Sequence, residues 1–172
     1  PYDPNADRSC DGSKRLGADT HPLLNWWGMW ANSNSVAEAG ATGKPYPLKG
    51  AMCGAGDFMS MANSTLMWDC LKQLDFFLDL DLWHTPTSQL ADILLPVRHW
   101  LEVDCVRTSQ GCGGHEGCHC KTVEPLGETW FDVDVIIQLA KACGIPWHPG
   151  AETDEEKWPD SIKDLDAAVA RY

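Results

Sequence analysis

Leu74-Asp75-Phe76-Phe77-Leu78-Asp79-Leu80-Asp81-Leu82-Trp83-His84-Thr85-Pro86-Thr87-Ser88-Gln89-Leu90-Ala91-Asp92-Ile93-Leu94-Leu95-Pro96 holds two apolar runs separated by a polar turn. The first, Phe76 to Leu80, has strand length and no strict alternation, as expected of a parallel strand covered on both faces. Asp81 stands at its C-terminal end. A short helical turn after Thr85-Pro86-Thr87 leads to the second run, Ile93-Leu94-Leu95, which Pro96 stops.

Working outward, Leu48 to Cys53 reads as a further strand. Asn63 or Ser64 can cap a helix whose apolar positions Met67, Cys70, Leu71 and Leu74 follow i, i+3, i+4, i+7. Downstream, Val133, Ile136, Ile137 and Ala140 form a helical stripe that ends at Gly144 with Pro146 beyond. The expected elements are strands over 48–53, 76–80 and 92–95, and helices over 64–74 and 130–143. A Trp-rich stretch from Leu23 to Ala39 is expected to be helical, and the glycines and prolines from Gly40 to Pro47 to break it. Residues 97–128 read as loop, and Ser161 can cap a last amphipathic helix. Strands alternating with helices give an α/β fold, a Rossmann-like, mainly parallel sheet with helices on both faces. Ligands bind such sheets beyond the carboxyl ends of the strands, here Cys53 to Asp57 and Asp81 to Thr87. The domain assignment is a leading segment over 1–45, the α/β domain over 46–145 and an acidic tail with a terminal helix over 146–172.

The 172 residues are 44% hydrophobic and 22% charged, ordinary values for one globular domain. A net charge of -12 argues against a nucleic-acid binder, which needs a basic face. The longest apolar stretches fall well short of a membrane span, and the chain begins with Pro1, so a piece of a longer protein is expected. Eight cysteines are too sparse here for a disulfide scaffold.

Four segments carry a resemblance. Gly43-Lys44-Pro45-Tyr46-Pro47-Leu48-Lys49 leads into the first strand. The second segment combines Leu74-Asp75-Phe76, Asp81, Thr85-Pro86-Thr87 and Ala91-Asp92-Ile93-Leu94-Leu95-Pro96. Trp100-Leu101-Glu102 follows, and then Glu124-Pro125-Leu126-Gly127-Glu128 with Asp132 and its helix. In this order and spacing the chain resembles the third, dinucleotide-binding domain of molybdopterin oxidoreductases of the dimethyl sulfoxide reductase family. The resemblance covers roughly residues 40 to 145. It implies a parent catalytic subunit with a molybdenum or tungsten bis-molybdopterin guanine dinucleotide and an iron–sulfur cluster. Neither is expected on this piece alone, which should be inactive. The implied partners are the remaining domains of the same subunit and an iron–sulfur electron-transfer subunit; the segment itself has no membrane span.

A guanine offers N–H donors and a ribose offers hydroxyls, so ionised carboxylates, which only accept, are suitable partners. The resemblance points to Asp81 and Asp132 for this role, with Leu80 contributing backbone atoms. Gly54, Gly56 and Asp57 form the turn after the first strand. Gly56 stands where the family often has an amide side chain, so backbone contact to a pyrophosphate survives and side-chain contact does not. The alternative for Asp81 is a turn cap, and for Asp132 a helix-start acid favoured by the dipole. Asp92 reads as a structural brace, and Glu102 is left open between the two roles.

Cys112-Gly113-Gly114-His115-Glu116-Gly117-Cys118-His119-Cys120 contains a literal H-E-x-x-H, but its glycines oppose the helix a zinc protease needs. A structural metal site drawn from Cys112, His115, Cys118 and either His119 or Cys120 is chemically reasonable. An exposed loop or a local disulfide is the plainer reading. The competing function is therefore a free-standing metal-binding or interaction module organised by this loop.

Overall fold

The structure, a computed structural model, describes residues 15–22, 31–108 and 116–146. The Trp-rich stretch before Ala31 and the Ser161-capped helix lie outside the described residues. The chain divides into two compact units, Pro1–Asp79 with His84–Leu94, and Leu80–Trp83 with Leu95–Tyr172.

A three-stranded parallel sheet has the order β1 (Gly50–Gly54), β2 (Phe76–Asp81), β3 (Ile93–Pro96). β2 is central, which explains why its residues 77 to 80 are all buried and why its sequence shows no alternation. In β1 the alternation survives, with Cys53 2% exposed beside Met52 at 48%.

In the first unit α1 (Ser33–Thr42) packs against α2 (Ser64–Lys72). Asn32 caps α1 by accepting the Ser35 N–H through Oδ1 at 3.1 Å, and Gly43 ends it at φ 73°, a left-handed conformation suited to glycine. The expectation that Gly40 begins a break is overturned, because the helix runs on to Thr42. The reason lies on the neighbouring helix: a Cβ at Gly40 would sit 2.0 Å from the Cys70 Sγ. That glycine allows close helix contact and does not interrupt the helix. On α2 the anticipated stripe Met67, Cys70, Leu71 is buried. Asn63 precedes it in a left-handed conformation without a side-chain cap. Together with Ala37, Cys53 and Phe77 the stripe forms the core of this unit. Burying an aliphatic or aromatic side chain of this size stabilises by about 1.5–3 kcal/mol.

The second unit contains a 3-10 turn (Trp100–Glu102), the antiparallel hairpin β4 (Cys105–Thr108) and β5 (Glu116–His119), and α3 (Asp132–Ala142). The hairpin corrects the expectation of loop throughout 97–128. Val106 and Thr108 supply β-favouring residues, and cross-strand pairing from Cys105↔His119 to Thr108↔Glu116 satisfies backbone groups that a loop would leave to water. α3 buries Val135 and Ile137 and ends before Gly144 at φ 68°.

Candidate cofactor-binding edge

In the second unit, β2 ends on Asp81, whose Oδ1 accepts the backbone N–H groups of Leu82 at 2.6 Å and Trp83 at 3.1 Å. This turn chemistry follows from a short carboxylate reaching its own succeeding amides. The Asp81 carbonyl accepts from the Val97 N–H at 3.3 Å, tying the end of β2 to the chain just past β3. From there a parallel bridge joins Val97 to Trp130, flanked by Arg98 N–H to the Trp130 carbonyl at 2.9 Å and Trp130 N–H to the Pro96 carbonyl at 3.3 Å. Phe131 then caps α3, and Asp132 is its first residue. Backbone bonds thus run from the end of β2, through the end of β3, to the start of α3. Asp132 Oδ1 accepts the Val133 N–H at 2.9 Å, and the acid stands in the first helical turn, where the helix dipole favours it. Both aspartates are partly exposed, and the second carboxylate oxygen of each has no hydrogen bond among the described residues. Leu80 is 1% exposed, so only its backbone could serve a ligand.

The turn Gly54 to Asp57 belongs to the first unit. Gly54, Ala55 and Gly56 are exposed, with Ala55 at φ 54°. A Cβ at Gly56 would meet nothing closer than 3.8 Å, so the backbone is accessible and the glycine is not needed for packing. The Asp57 carboxylate is committed within the protein. Its Oδ1 accepts from the Met59 N–H at 3.0 Å and from the Thr87 hydroxyl, which is fully buried. Asp57 therefore anchors the turn. Asp92 is a brace as expected: its Oδ2 accepts the Phe77 N–H at 2.7 Å. Glu102, left open by sequence, is structural. Buried to 7% exposure, it accepts the His99 N–H at 2.8 Å and the Leu126 N–H at 3.2 Å on separate oxygens.

Of the Cys/His cluster, Cys112 and His115 lie outside the described residues. Glu116 to His119 form β5, not the helical turn that a zinc-protease motif requires. Cys120 is exposed, and among the described residues no three His, Cys, Asp or Glu are placed to hold a metal.

The chain is similar over most of its length to known proteins, although no protein-family model matches it. It is 42% identical over 158 residues to a dopamine dehydroxylase of Eggerthella lenta, covering 91% of this chain and 15% of that protein. It is 28% identical over 120 residues to the thiosulfate reductase molybdopterin-containing subunit of Salmonella typhimurium, covering 66% of this chain and 16% of the relative. The solved structure of acetylene hydratase from Pelobacter acetylenicus superposes with a TM-score of 0.66 at 29% identity, over 78% of this chain and 19% of that one. The chain belongs to the molybdopterin oxidoreductases of the dimethyl sulfoxide reductase family. It spans about 15–16% of the length of the two curated relatives described.

Chemically, Asp81 and Asp132 offer hydrogen-bond acceptors. Two carboxylates, each held by backbone on one oxygen and uncommitted on the other, suit N–H and ribose hydroxyl donors. Two exposed tryptophans adjoin these positions: Trp83, 70% exposed after the Asp81 turn, and Trp130, 53% exposed at the bridge leading to α3.

Proposed function

We propose that this chain is one domain of a larger molybdenum or tungsten catalytic subunit, and that its second unit holds the guanosine end of a molybdopterin guanine dinucleotide. The observation that carries this reading is the Asp81 carboxylate, fixed by the Leu82 and Trp83 amides with one oxygen left to accept. Asp132 supplies a second acceptor from the start of α3. Taken by itself, the exposed Gly54–Gly56 backbone of the first unit suits an anionic oxygen. We assign the binding domain to residues 46–145. The cofactor supplies two-electron redox or oxygen-atom chemistry when bound, and this chain supplies acceptors and orientation. An iron–sulfur cluster and an electron-transfer partner belong to the remainder of the same enzyme. Reductive dehydroxylation of a small molecule is the first reaction to assay, given the 42% identity to a dopamine dehydroxylase.

The test uses the larger enzyme purified with its cofactor. Asp81→Ala removes a charge-assisted hydrogen bond worth about 1.5–3 kcal/mol, so the guanine nucleotide released on acid hydrolysis should fall well below one equivalent of wild type. Unchanged nucleotide and pterin content in that variant overturns the assignment.

A further inference from the structure

The first unit contains a cavity of about 710 Å³ that the proposed cofactor edge does not use. Its walls come from α1, through Ser35 and Glu38, and from the two pieces of chain at its ends. One is the turn beginning at Arg15, where Gly17 at φ 79° lies so near α1 that a Cβ would meet the Ser35 Oγ at 2.8 Å. The Leu16 carbonyl accepts the Asn32 N–H at 3.2 Å, fixing that turn to the start of α1. The other piece is Lys44-Pro45-Tyr46, just beyond the Gly43 cap at the opposite end of α1.

Among the described residues, the buried Arg15 Nη1 has no hydrogen-bond partner. Among the described residues neither Arg15 nor Lys44 is in an ion pair. Arg15 lines the cavity, and the guanidinium fork matches a carboxylate. Lys44 adds a second positive charge to the lining, and Pro45 and Tyr46 add apolar surface. Asp19 and Glu38 also line the cavity and are exposed, so a polyanion would meet repulsion there, whereas a hydroxyl or amine donor would be accepted.

We propose that this cavity is a binding site for a small organic monoanion, a compact ring or chain bearing one carboxylate together with a hydroxyl or amine. The anion lies against Arg15 and Lys44, and the donor against Asp19 or Glu38. The volume is in the range of small-molecule sites. This site is independent of the guanosine reading.

The experiment is calorimetric titration of the full chain with 4-hydroxybenzoate, with pyrophosphate and chloride as comparison anions. The expected result is saturable one-site binding of 4-hydroxybenzoate, weakened roughly ten- to hundredfold by Arg15→Gln and less by Lys44→Gln, with pyrophosphate weaker. Arg15→Met should abolish binding while leaving the unfolding midpoint unchanged or raised, because no protein partner loses a bond. Absence of saturable binding, equal binding by Arg15→Gln, tighter binding of pyrophosphate, or a lowered midpoint in Arg15→Met overturns the proposal.

Discussion

Replacing Gly40 by alanine puts a methyl group where the structure has no room for one. Its Cβ would lie 2.0 Å from the Cys70 Sγ, 3.0 Å from the Cys70 Cβ and 3.4 Å from its Cα. The sulfur is itself 2% exposed in the core of the first unit, so it cannot swing into solvent. Overpacking a core costs typically about 1–3 kcal/mol, and a contact this short belongs at the upper end. Alanine returns about 1 kcal/mol through its better helix propensity. The net loss expected for Gly40→Ala is about 2 kcal/mol, or roughly 4–8 °C in unfolding temperature for a chain of this length. Cys70→Ala removes the clashing atom, so Gly40→Ala should cost much less in the Cys70→Ala background. The double-mutant cycle, followed by urea unfolding with circular dichroism, should give a favourable coupling of about 1–2 kcal/mol. A Gly40→Ala chain as stable as wild type, or additive single effects, would refute the account of how α1 meets α2.

Three other outcomes follow from the described contacts. Thr87→Val removes the hydroxyl that donates to Asp57 and accepts the Met59 N–H at 3.0 Å; a buried loss of this kind costs about 1–3 kcal/mol in urea unfolding, and a neutral result would contradict the anchored turn. Burial pushes the Cys70 thiol above its ordinary value of 9.0. The folded state thus holds this proton more tightly than the unfolded state, so the contribution is complete below the unfolded thiol's value and is lost as pH rises toward the folded one. Unfolding midpoints between pH 7.5 and 10 should fall less steeply in Cys70→Ala, and parallel slopes would refute this. Finally, a chelator should leave the unfolding midpoint of the purified chain unchanged; stoichiometric zinc whose removal unfolds the protein would favour a module organised by the Cys/His loop.

The sheet was legible because β2 is central: burial of residues 77 to 80 leaves a run that is apolar except at Asp79 and lacks the alternation of a half-exposed strand. The stripe of α2 and the Gly144 stop of α3 were legible for the same local reason, a 3.6-residue period and a left-handed glycine. What sequence could not supply depends on distant partners. Gly40 reads as a breaker until Cys70, thirty residues later, is seen against it. Asp57 reads as a ligand contact until Thr87 is found on its carboxylate. Glu102 is undecided until the Leu126 N–H, from across a loop, takes its second oxygen. The β4–β5 hairpin was hidden because its glycine-rich connection, residues 109–115, is longer than the two-residue loop that marks a tight hairpin in sequence. Asp81 and Asp132 were named from sequence with both roles open, and their local hydrogen bonds, each made by one oxygen only, are compatible with a cap that also accepts from a ligand.

The most direct measurement is an experimental structure of the larger enzyme with its cofactor in place. The account predicts a guanosine whose N–H or ribose hydroxyl groups lie within about 2.7–3.2 Å of the Asp81 and Asp132 carboxylate oxygens. A nucleotide held elsewhere, with both carboxylates bonded only to protein, would contradict it.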